Sequence, residues 1–99
     1  MVISLKNEVI VITGGAMRLG RAIALECARA GAKIVITYNH SVDEAAQTVD
    51  DLNAINTNSA VAFQAELTDT KVLSQLPAKV LSHFGAVTAL VNNAAIFQR

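Results

Sequence analysis

Apolar residues along this chain fall into two alternating kinds of segment. Glu8-Val9-Ile10-Val11-Ile12-Thr13 is a β-branched run that ends in Gly14-Gly15, the pattern of a strand buried on both faces. Leu19 to Ala30 instead carries Leu19, Ile23 and Cys27 at helical spacing, a single stripe that predicts a helix with these three residues facing a core. Gly31 stands where a C-terminal capping glycine belongs. Lys33 to Tyr38 repeats the buried-strand pattern. Ser41-Val42-Asp43-Glu44 has the S-x-x-E spacing of a capping box and opens a helix to about Asn56, with Val42, Ala45, Val49, Leu52 and Ile55 as its apolar face. Ser59 to Ala65 predicts a third strand through Val61 and Phe63. Beyond it, Asp69 to Leu73 reads as a short turn, with Pro77 in the first turn of a new helix, where its missing N–H costs nothing. Leu76, Val80 and Phe84 share a face of that helix, Gly85 stops it, and Val87 to Asn92 forms a fourth strand.

The order β-α-β-α-β-α-β, with crossovers too long for hairpins, requires parallel pairing. Right-handed crossovers set the first three strands side by side. A nucleotide-binding arrangement then returns the fourth strand beside the first. The expected fold class is α/β: a Rossmann-like doubly wound parallel sheet, partial, with four strands in order 3-2-1-4 and three crossover helices. Two helices then lie on one face and one on the other, so one face is thinly covered and the fourth strand is an open edge. Both features predict the amino-terminal part of a larger domain over residues 1–99.

Composition narrows the class. Eight Lys plus Arg balance eight Asp plus Glu among 99 residues, which leaves no cationic excess for nucleic acid. A hydrophobic fraction of 53% against 16% charged excludes a disordered tail and is high for so short a chain. No apolar run approaches the ~18 residues of a membrane span, and Met1 to Glu8 lacks the features of a signal peptide. A cytoplasmic protein without membrane or nucleic-acid partners is expected, acting on a small molecule, and its open strand edge predicts a homo-oligomer. Neither histidine belongs to a metal-ligand cluster, and Cys27 reads as packing.

The chemistry concentrates in Thr13-Gly14-Gly15-Ala16-Met17-Arg18-Leu19-Gly20. Between a buried strand and a helix, glycines permit a tight turn and close helix packing, and the free N–H groups at the helix start meet a phosphate. Gly15 to Gly20 has P-loop spacing, yet Arg21-Ala22 replaces the required Lys and Ser or Thr. The segment is similar to the T-G-x-x-x-G-x-G turn of the short-chain dehydrogenase/reductase family, with Arg18 in place of the middle glycine. Val91-Asn92-Asn93-Ala94-Ala95 resembles that family's N-N-A-G. Within the family, Arg18, Tyr38-Asn39-His40-Ser41, Leu52-Asn53-Ala54, Asn58-Ser59-Ala60 and Gln64-Ala65-Glu66-Leu67 resemble pteridine reductases, which reduce biopterin or folate with NADPH.

The resemblance implies a cofactor site made of Gly14, Arg18, Leu19, Gly20, Asn39, His40, Ser41, Glu66, Leu67, Asn93, Ala94 and Ala95. It also implies substrate contacts from Arg18 and from Phe97, at the place of an aromatic that stacks on the pterin; that subgroup has serine where this chain has Ala95. Glu66 would accept from the adenine amino group, with the Leu67 N–H beside it. The second strand ends with no acid before Asp43, while Asn39, His40 and Ser41 donate hydrogen bonds and Arg18 is a permanent cation. This selects NADP over NAD. Ser41 serves equally as a helix cap, His40 as a loop residue, Glu66 as a surface carboxylate and Phe97 as packing. His83 reads as a helix C-terminal cation.

The family's catalytic serine and Tyr-x-x-x-Lys lie beyond the N-N-A-G segment. Tyr38 is the single tyrosine and Val42 stands four residues on, so no catalytic residue is expected in this chain. The expected function is the NADPH-binding portion of a reductase of about 250 residues acting on a pterin or carbonyl compound. The alternative is a stand-alone, non-catalytic nucleotide-binding module.

Overall fold

Four consecutive β-branched residues and a threonine form the central strand, β1 (Val9–Thr13), buried throughout its length. It belongs to a computed structural model that describes residues 4–66 and 68–93. Leu67, Ala94, Ala95 and Phe97 lie outside the described residues. The remaining elements are α1 (Arg18–Arg29), β2 (Lys33–Tyr38), α2 (Val42–Ile55), β3 (Ala60–Gln64), α3 (Thr70–Phe84) and β4 (Ala89–Asn92). The sheet is parallel, in order β3-β2-β1-β4, as the crossover argument requires.

Alternation along the strands divides the core in two. Ile10, Ile12, Ile34 and Ile36 point to one side, against Ala24 and Ala28 of α1 and Ala45 and Leu52 of α2. Val9, Val11 and Val35 point to the other and meet only Leu76 and Val80 of α3 among the buried residues described. The thin cover is visible in β4. Leu90 pairs in register with Val11 and therefore shares the α3 face, yet it is 64% exposed where Val11 is 4%.

Three local expectations are corrected. The buried face of α1 is Gly20, Ala24 and Ala28, one residue on from Leu19, Ile23 and Cys27. Leu19 is 66% exposed, and Ile23 and Cys27 pack at the margin of the core. The phase follows from close approach: only the small-residue face lets the helix sit on the glycine turn. The capping box of α2 is not formed, since Ser41 takes the N-cap position at φ −84°, ψ 61° without a side-chain capping bond. Asp43 and Glu44 still favour the helix dipole in its first turn. The inner face of α2 is Ala45, Thr48 and Leu52, while Val42 and Ile55 are exposed.

The third correction is α3, one continuous helix with Pro77 in its interior rather than a turn followed by a new helix. Asp69 starts it, its carboxylate accepting from the N–H of Lys71 at 2.9 Å and of Val72 at 3.5 Å, and Gly85 ends it at φ +78°. Burial of Leu76 and Val80 holds the helix on the sheet across the proline. His83 lies in its last turn, edge-on to the Phe84 ring. The strands are a residue or two shorter than their apolar runs at β1, β3 and β4.

Candidate cofactor-binding site

The turn from β1 into α1 is held from both sides at Gly14. Its N–H donates to the Thr37 hydroxyl at 3.2 Å, and its carbonyl accepts from the Asn93 side-chain amide at 3.2 Å. Thr37 is buried at the end of β2, and Asn93 directly follows β4. The turn is thereby fixed to both neighbours of β1 at their C-terminal ends. Gly14 itself has φ +67°, which a glycine adopts without strain. A Cβ at Gly20 would collide with the Gly14 carbonyl and lie 2.6 Å from the Asn93 amide nitrogen and 2.9 Å from the Gly15 Cα. Gly20 therefore sets how closely α1 can approach the turn.

The start of α1 is unusual in two respects. Met17 takes the N-cap position without a side-chain capping bond, leaving the first-turn N–H groups without that partner. Arg18 has φ +56°, a left-handed conformation that costs a residue with a Cβ about 1–2 kcal/mol. The family's glycine at this place has its physical reason in that angle. A cation kept there against the helix dipole leaves a strong donor beside unpartnered N–H groups.

Beside this turn lies a cleft of about 600 Å³. Gly14, Ala16, Met17, Arg18 and Leu19 form one wall, Thr37, Tyr38, Asn39 and Ser41 another, and Asn93 closes its end. Of the residues expected from sequence, the structure thus brings together Gly14, Arg18, Leu19, Asn39, Ser41 and Asn93, with Gly20 buried behind the turn. Arg18 is the single charged residue of the lining among the described residues. His40 is not part of it; its side chain is exposed, and its carbonyl accepts from the Val42 N–H at 2.9 Å.

Glu66 is also off the lining but is bonded to it. The Asn39 amide donates to the Glu66 carboxylate at 2.7 Å. The other carboxylate oxygen accepts from the Thr68 hydroxyl at 2.7 Å. These bonds, Thr68 first and Asn39 next, hold the Glu66 carboxyl below its ordinary range, with help from the Thr68 N–H and His40. An acid therefore stands at the end of β2 after all, supplied by β3 rather than by the strand's own sequence.

A second layer supports the turn from α2. The buried Thr48 hydroxyl donates to the Ala16 carbonyl at 2.7 Å and accepts from Arg21 at 3.1 Å. Arg21 also pairs with Asp51 at 2.6 Å. Sequence reasoning missed Thr37, Thr48 and Arg21. Hydroxyls on otherwise aliphatic inner faces were the available signal, since buried polar groups need partners.

Residues 8–99 match the family described as short chain dehydrogenase. The chain belongs to that family. Among curated relatives of this short-chain dehydrogenase, it is 39% identical over 92 residues to a hydroxynaphthalene reductase of Aspergillus fumigatus, covering 93% of this chain and 33% of that protein. It is 35% identical over 92 residues to versicolorin reductase 1 of Aspergillus parasiticus, covering 93% and 35%. A double-mutant short-chain dehydrogenase/reductase of Serratia marcescens superposes with a TM-score of 0.88 at 31% identity, covering 94% of this chain and 38% of that one. A dehydrogenase/reductase of Sinorhizobium meliloti gives 0.90 at 30%, covering 97% and 38%. The chain spans about a third of the length of the curated relatives it matches. Oxidoreductase chemistry with a nicotinamide cofactor is typical of the family. The curated relatives named here are a hydroxynaphthalene reductase and a versicolorin reductase, not pteridine reductases. No helix among the described residues is long and apolar enough to cross a membrane.

Proposed function

We propose that this chain is the NADPH-binding part of a short-chain reductase acting on a carbonyl or pterin substrate, as a homo-oligomer in the cytoplasm. The observation that carries the reading is the charge of the cleft lining, which among the described residues has Arg18 as its cation and no carboxylate. A 2′-phosphate on the adenosine ribose favours such a wall, with Arg18, Asn39 and Ser41 as donors. The residues fit the cofactor on independent grounds: the Gly20 approach that a Cβ would fill, and uncapped N–H groups at the start of α1. Gly14 and Asn93 keep the turn in shape, and Arg18 neutralises phosphate charge. The bound cofactor supplies hydride; the proton donor is expected outside this segment, because its single tyrosine, Tyr38, has no lysine four residues on. The names hydroxynaphthalene reductase and versicolorin reductase support a carbonyl substrate over a pterin.

The test is a fluorescence titration of NADPH and NADH on the protein expressed from its native gene. NADPH is expected to bind at least about tenfold more tightly, a difference of about 1.4 kcal/mol. Arg18→Ala should remove most of that difference. Equal affinities, or tighter NADH, would overturn the cofactor assignment.

A further inference from the structure

The ends of β2 and β3 are joined by a clasp that reaches the cleft wall. The Ala65 N–H donates to the Tyr38 carbonyl at 2.8 Å, and the Gln64 side-chain amide donates to the Asn39 carbonyl at 2.9 Å. The Asn39 side chain completes it by donating to Glu66 at 2.7 Å. An ionised carboxylate only accepts hydrogen bonds, so the amide nitrogen of Asn39, and not its oxygen, must face Glu66. Asn39 lines the cleft beside Ser41. Its orientation there is set by a residue outside the lining.

We infer that Glu66 is a positioning residue for cofactor choice: it fixes the Asn39 amide on the cleft wall, and its negative charge restrains the preference for a 2′-phosphate. The inference rests on the cofactor reading of the cleft and adds a residue that opposes Arg18 within it. One N–H of Asn39 is spent on Glu66, which leaves the second N–H and the amide oxygen for the ribose. The second N–H can donate to either 2′ group, whereas the oxygen suits a 2′-hydroxyl and repels a phosphate, as the carboxylate behind it does. The Thr68 hydroxyl and N–H, at 2.7 and 3.4 Å, keep the other Glu66 oxygen engaged. Glu66 is thus committed to the loop on one side and to Asn39 on the other. A role confined to the adenine ring would act equally on NADH and NADPH, since both carry the same ring. Positioning of Asn39 acts on the 2′ substituent, where they differ.

The experiment measures Kd for NADPH and NADH on the protein from its native gene and on Glu66→Gln and Glu66→Ala, with thermal unfolding as a folding control. Glu66→Gln keeps an acceptor for Asn39 and removes the charge. The ratio Kd(NADH)/Kd(NADPH) should rise about fivefold, the scale of deleting one like charge near a phosphate at a partly screened surface. The gain should shrink in high salt. Glu66→Ala releases Asn39 and should weaken both cofactors relative to Glu66→Gln. An unchanged ratio in Glu66→Gln, with both affinities kept or both lowered alike, would overturn the inference. That result is separable from failure of the NADPH reading, which is decided by the unsubstituted protein's own ratio and by Arg18→Ala. Should either Glu66 variant unfold, Asn39→Ala tests the orientation directly: without the side chain that Glu66 fixes, both cofactors should bind more weakly, and unchanged affinities would overturn the inference. Where the Glu66 variants fold, the extra loss of Glu66→Ala over Glu66→Gln should vanish on the Asn39→Ala background, and a loss retained there would also overturn the inference.

Discussion

Asn93 and Gly20 converge on one backbone atom, the carbonyl oxygen of Gly14. Asn93 donates to it at 3.2 Å, and the Gly20 Cα lies so near that a methyl group there would overlap it. Besides the Asn93 amide, the collision partners are backbone atoms of Gly14 and Gly15, which cannot rotate away as a side chain would. Gly20→Ala should therefore move α1 off the turn, costing about 2–3 kcal/mol of stability and most cofactor affinity. Urea unfolding together with a cofactor titration checks both. Asn93→Ala removes one hydrogen bond and should cost about 1 kcal/mol, so a loss as large as that of Gly20→Ala would contradict this geometry.

Arg18 sets backbone strain against charge. Its φ of +56° is relieved by glycine but not by alanine. Arg18→Gly is expected to be more stable than Arg18→Ala by about 1 kcal/mol, the left-handed penalty less the entropy of a more flexible unfolded chain. Both variants lack the cation and should lose NADPH affinity alike, with NADH little changed. Equal stability of the two in chemical denaturation would argue against the left-handed angle.

The strand order and the glycine turn were legible because each rests on a local rule: β-branched runs for β1 and β2, glycine at a left-handed turn. The phase of α1 was not. Leu19, Ile23 and Cys27 are the larger residues, and a hydrophobic stripe selects them, but the surface they would face is a turn that admits only Gly20, Ala24 and Ala28. The Asn39–Glu66 bond was equally out of reach, since it depends on β2 and β3 ending side by side. His40 illustrates the converse: its sequence neighbours Asn39 and Ser41 line the cleft, while it faces solvent. The expected roles of Leu67, Ala94, Ala95 and Phe97 fall outside the described residues.

Pro77 interrupts the hydrogen-bond ladder of α3 from an exposed position. It can donate no N–H to the preceding turn, and its ring crowds that turn. Leu76 and Val80, on either side of it, hold the helix to the sheet. Pro77→Ala restores a donor and a strong helix former without touching the buried face. Stability should rise by about 1–3 kcal/mol, read from the urea midpoint. A loss would mean that the proline is required where it stands.

The Arg21–Asp51 pair gives the support of the turn a pH dependence of known sign. The Arg21 hydrogen bond, followed by that of Gln47, holds the Asp51 carboxyl below its ordinary range. A folded value below the unfolded one means that the contribution is complete above the ordinary carboxylate range and fades as pH falls through the folded value. Arg21 also donates to Thr48, whose hydroxyl holds the Ala16 carbonyl, so protonating Asp51 loosens the residue that steadies Thr48. Asp51→Asn should therefore lower the urea midpoint at pH 7, and the difference from the unsubstituted protein should fade as pH falls below the ordinary carboxylate range. Glu66 shares the same sign but is present in both proteins, so its effect cancels in the comparison. A difference that stayed constant as pH fell through and well below that range would show that Asp51 acts through packing or neutral hydrogen bonding and not through its charge.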